Sequence, residues 1–120
     1  MNQLVCFDRE FRLWLYNASH SQLLLRSVKG QKYQTQVDVL FKSTIFVCLP
    51  SQVNGLIVSE MSQEEFAAFN MSTGRIAAKW GTPFLVRGED WSGVIVAGRV
   101  AWLENQAEYY EQSGLITFLG

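Results

Sequence analysis

The chain has 120 residues, 48% of them apolar and 18% charged, with a net charge of −1. That balance excludes a disordered polymer and the strongly basic surface of a nucleic-acid binder, and the length fits one domain, residues 1–120, around one core. The start, MNQLVCFDRE, has no basic leader, and no stretch approaches the ~20 apolar residues of a membrane helix, so a cytoplasmic protein without a membrane partner is expected.

Cys6 and Cys48 are the only cysteines, and both fall in apolar, strand-like runs. Two separated thiols of this kind are expected to be reduced and packed in the core. In Phe11-Arg12-Leu13-Trp14-Leu15-Tyr16 the apolar pattern has period 2: Phe11, Leu13 and Leu15 share one face, while Arg12, Trp14 and Tyr16 share the other. Asn17-Ala18-Ser19-His20 favours a turn, and Gln22 to Ser27 reads as a return strand. Trp14, Tyr16 and Leu24 then lie where a solvated antiparallel sheet places charge, so something is expected to cover them.

Tyr33 to Phe41 is the cleanest alternation in the chain, with Tyr33, Thr35, Val37, Val39 and Phe41 inward and Gln34, Gln36 and Asp38 toward water. Thr44 to Leu49 is a further strand ended by Pro50, which cannot donate to a ladder. Asn54-Gly55 has the composition of a tight turn before a strand over Leu56 to Glu60. Ser62 and Glu65 form a capping box, with Met61 and Phe66 placed as a hydrophobic staple, so one short helix is predicted near residues 63–70. Strands are predicted again over Arg75 to Trp80 and Phe84 to Arg87. The polar loop GEDWSG leads into Val94 to Leu103, apolar on both faces and read as a central strand, with Gly98 marking a bulge or close backbone approach. The terminal GLITFLG reads as a last short strand.

About eight short strands and one short helix define a mainly β domain, an antiparallel β-sandwich or a small barrel. The candidates for chemistry are few. His20 stands between Ser19 and Ser21, but sequence neighbours are seldom aligned for proton transfer, and a turn histidine is the expected role. One histidine and two separated cysteines match no zinc pattern. Glu104, Glu108 and Glu111 would share one face of a helix, as in a carboxylate acid/base site, or else form an acidic solvated turn. Glu89 and Asp90 admit a hard cation or an ordinary loop. The glycine-rich and nucleophile motifs of nucleotide-binding proteins and common esterases are missing, so no catalytic residue, metal or cofactor is assigned.

Four tryptophans and four tyrosines exceed what one small core hides with their polar atoms partnered. The chain is therefore expected to be a non-enzymatic binding module that self-associates, as a homodimer, or docks a protein partner. Trp14, Tyr16, Leu24 and Trp91 are the candidate interface residues. The alternatives are a barrel that encloses a small apolar ligand, and a hydrolase using His20 or the Glu104 to Glu111 carboxylates.

Overall fold

The computed structural model describes residues 3–73 and 81–115, without the side chains of 70–73. In chain order the elements are β1 (Gln3–Asn17), β2 (Gln22–Ser27), β3 (Gln36–Lys42), β4 (Phe46–Cys48), β5 (Gln52–Glu60), α1 (Gln63–Thr73), β6 (Thr82–Gly88), β7 (Trp91–Ala97) and β8 (Arg99–Asn105). The strands form one antiparallel sheet in the order β4-β7-β6-β5-β1-β2-β3-β8. Its two ends meet. β4 continues β3 after a bend at Ser43, β8 continues β7 after Gly98, and the bent pairs run side by side, β3 against β8 and β4 against β7. The ladder is carried round the corner by Gly98 N–H donating to the Lys42 and Ser43 carbonyls, and by Ile45 N–H donating to that of Val96. The eight strands thus make six staves of a small closed barrel, the arrangement that leaves fewest strand edges open.

Closure follows from the inward residues. Val5, Phe11, Leu23, Leu25, Val37, Val39, Phe41, Val53, Leu56, Val58, Phe84, Val86, Ile95 and Ala97 form one buried cluster drawn from six strands. Phe41 and Phe84 meet edge to face across it, ring centres 5.7 Å apart. A barrel this narrow is filled by its own side chains. The capping box forms as predicted: Glu65 N–H donates to Ser62 Oγ at 3.1 Å, and Ser62 N–H to Glu65 Oε1 at 2.9 Å. The helix runs on to Thr73 and packs Phe69 against Phe46 of β4.

Several expectations are corrected. Asn54-Gly55 is no turn: β5 runs straight through it, with Gly55 at φ 79° facing a bulge in β1 where the register shifts between Phe7 and Glu10. The strand expected from Tyr33 begins at Gln36, because residues 28–35 form a loop closed by Gly30 N–H donating to the Tyr33 carbonyl. The single central strand over Val94 to Leu103 is two strands bent at Gly98, where a Cβ would stand only 3.0 Å from that of Ser43. Only the first of the two, β7, is deeply buried. Cys6 and Cys48 are exposed rather than in the core, because alternation in β1 gives the inward place to Val5 and β4 is a three-residue outer strip. The predicted strand at Arg75 to Trp80 lies outside the described residues, as does most of GLITFLG.

Candidate interaction site

The opening hairpin forms as read, β1 and β2 joined through Ala18 to Ser21, with Asn17 opposite Gln22. His20 lies in that turn, its N–H donating to the Asn17 carbonyl. The period-2 pattern of β1 does not survive to the end of the strand. Leu13 faces Leu25, but Leu15 faces Leu24, so Trp14 is the extra residue of a bulge. Residues directly opposite share a face. Trp14 and Leu15 therefore both lie on the outer side, while Tyr16, opposite the core residue Leu23, passes to the inner rim, away from Trp14. That corrects the expectation of Trp14 and Tyr16 side by side.

The outer wall beside Trp14 is crossed by the chain's own C-terminal segment. Arg26 Nη1 donates to the Tyr109 carbonyl at 2.7 Å, Lys29 Nζ donates to that of Gln106 at 2.9 Å, and Lys29 also pairs with Glu108. These contacts hold residues 106–113 as a strap over β2 and β3. Beneath it Leu24 is 1% exposed, so Leu24 belongs to the covered wall and forms the floor of the groove beside Trp14 and Leu15. Gln36 and Asp38, read as water-facing, are buried for the same reason. Asp38 receives Arg26 through two bonds, Nε to Oδ1 at 2.7 Å and Nη2 to Oδ2 at 3.1 Å, with side chains only 2% and 4% exposed. The Arg26 guanidinium also lies over the Trp14 indole, 5.3 Å from its centre.

Trp14 and Leu15 stay uncovered at 38% and 42% exposure. With Tyr109 and Tyr110 of the strap, whose rings meet edge to face at 5.4 Å, they border one groove. Trp91, the fourth expected contact residue, sits elsewhere: its indole folds back against the core edge, and its Nε1–H points to the Asn54 carbonyl at 3.4 Å. The strap aromatics were missed because nothing local to YYE tells which strands it will cross.

The carboxylates of the alternative reading do not gather. Glu104, in β8, accepts from Thr35 Oγ1 at 2.6 Å and lies 3.8 Å from Arg9. Glu108 pairs with Lys29, and Glu111 closes a turn on the Glu108 N–H. The three take the acidic-turn arrangement rather than one helical face. Among the described residues no three metal-ligating side chains come together. Arg9 was not singled out in the sequence, yet it ties β1 to the end of β2 and to the loop before β3: Nε donates to Ser27 Oγ at 2.7 Å, Nη2 to the Thr35 carbonyl at 2.6 Å, and the guanidinium stacks on Tyr33 at 4.1 Å. Burial lowers its pKa from the ordinary value, against the opposing effect of Glu104 and Tyr33. These bonds make it a structural clamp.

No helix of the described residues is long and apolar enough to cross a membrane. No family model, curated protein or solved structure matches the chain.

Proposed function

We propose that the chain is a non-enzymatic interaction module that pairs with a second copy of itself through the groove between β1 and the strap. The observation that carries this is the bulge, which turns two consecutive large residues, Trp14 and Leu15, toward solvent beside Tyr109 and Tyr110. Contiguous aromatic surface of this kind is uncommon on a monomer and typical of a contact centre. The occupant is argued from charge. Arg26 is buried and neutralised by Asp38, leaving Glu111, among the described residues, as the one other ionic residue on the groove. A nearly neutral aromatic surface is matched by another of the same kind, and an isologous dimer supplies it with little repulsion at a net charge of −1. The barrel interior is filled by its core, which is why the outer face carries the proposal rather than an enclosed apolar ligand.

Light scattering of the purified chain should give the mass of a dimer. Leu15→Glu, which touches none of the core, should weaken association by about thirtyfold or more, the loss expected of a central contact, with an unchanged circular dichroism spectrum. A parent chain that stays monomeric at high concentration sinks the proposal. So does a Leu15→Glu variant that elutes with the parent.

A further inference from the structure

On the other flank of Trp14 a second cleft, of about 320 Å³, is lined by Glu10, Arg12, Trp14, Arg26, Val28, Lys29 and Tyr109. The register there contains a conflict: Arg12 of β1 lies directly opposite Arg26 of β2, both on the outer face. Like charges opposite one another in neighbouring strands are destabilising, and such local violations concentrate at functional sites. Asp38 answers only Arg26. Arg12 is 60% exposed, and among the described residues its guanidinium donates no hydrogen bond. Glu10, its ionic neighbour at 3.8 Å, is engaged by Gln52 Nε2 at 3.0 Å. On the floor, three of Arg26's five N–H groups are used, two by Asp38 and one by the Tyr109 carbonyl.

We infer that this cleft binds a small aromatic carboxylate. The carboxylate lies against the exposed Arg12 guanidinium and takes its free N–H donors, while Arg26 behind it, its charge already answered by Asp38, closes the floor of the cleft. The ring packs into the apolar walls of Trp14, Val28 and Tyr109. A cleft of this size with an aromatic wall and a few convergent donors is the usual form of a small-ligand site. Arginine is the side chain whose planar fork best fits a carboxylate. Glu10 on the rim sets the charge: one carboxylate is accommodated, and a second would meet it. The site goes beyond the self-association reading and shares with it only Trp14, Arg26 and Tyr109, Arg12 standing on this cleft alone.

The test is calorimetric titration of the full chain with naphthoate, with naphthamide as the neutral isostere and acetate as the anion without a ring. Naphthoate is expected to bind at least about tenfold more tightly than either control, and Arg12→Gln to remove about tenfold of that affinity, the worth of one charge-assisted hydrogen-bonded contact. Arg12→Gln should leave the solution mass of the parent unchanged, so a parent that proves monomeric yet binds naphthoate overturns self-association alone. Equal binding of naphthoate and naphthamide, no binding of either, or full affinity in Arg12→Gln overturns the carboxylate site.

Discussion

Arg26 shows how much one side chain's role depends on residues far along the chain. In sequence it is a polar residue in a short strand, and alternation places it and Asp38 on the outside, which is correct. They are nonetheless buried, because a segment whose nearest contact, Tyr109, is 83 residues away lies over them. No local pattern announces that cover. A buried ion pair adds little beyond its desolvation cost, but breaking one side leaves an unpaired charge in the interior. Asp38→Ala should therefore lower unfolding free energy by about 3–5 kcal/mol, measured by urea denaturation, while replacing Arg26 and Asp38 together with Met and Leu should restore most of the loss. A single-variant cost under about 1 kcal/mol would show that the pair is not enclosed. The cysteines make the opposite point. Both were read as core residues from their apolar neighbours, yet both are exposed. Ellman's reagent should accordingly react with two thiols in the native chain without added denaturant.

At the level of elements, the sequence was most informative where the signal is short-range. The capping box needs only Ser62 and Glu65, three residues apart, and it forms as read. The Ser62 N–H, donating to the Glu65 carboxylate, holds that carboxyl below its ordinary value of 4.5. A group with a lowered folded-state pKa contributes stability above its unfolded pKa, and that contribution disappears as pH falls through the folded value. The helical signal in far-ultraviolet circular dichroism should thus stay level from neutral pH through the ordinary glutamate range and drop below it. Glu65→Gln should show no step at that point. The bulges in β1 were not readable, since each depends on how many residues the partner strand sets against it. The bulge at Trp14 moved Tyr16 to the rim and Leu15 outward, exchanging one expected contact residue for another. Strand existence was therefore apparent from alternation, whereas the faces of β1 beyond Leu13 were decided by pairing with β2.

Across the whole molecule, what positions both outer-face sites is closure of the barrel, and its narrowest join is the three-residue pairing of β4 with β7, beside the longer pairing of β3 with β8. If that seam opened, the strand pair β3 and β4 would be tied to β7 and β8 by the β3–β8 pairing alone. Gly93 of β7 is the residue that permits the join: a Cβ there would overlap the Cys48 carbonyl oxygen and stand 3.2 Å from the Leu49 Cβ. Backbone cannot swing aside as a flexible side chain does, so Gly93→Ala forces β4 outward, at a cost of about 1–3 kcal/mol typical of overpacking. Gly30→Ala, in the loop before β3 with nothing within 4 Å of the added methyl group, is the matched control and should be close to neutral. The decisive readout is amide hydrogen exchange: Gly93→Ala should speed exchange at Ile45, whose N–H donates to the Val96 carbonyl at 2.8 Å across the seam. Amides of Leu23 to Arg26, in β2 and bonded to β1 and β3 rather than across the seam, should keep their protection. Equal stability and equal exchange in the two glycine variants would mean that β4 does not close the barrel, and the rigid outer wall on which Trp14 and Arg26 sit would have to be held some other way.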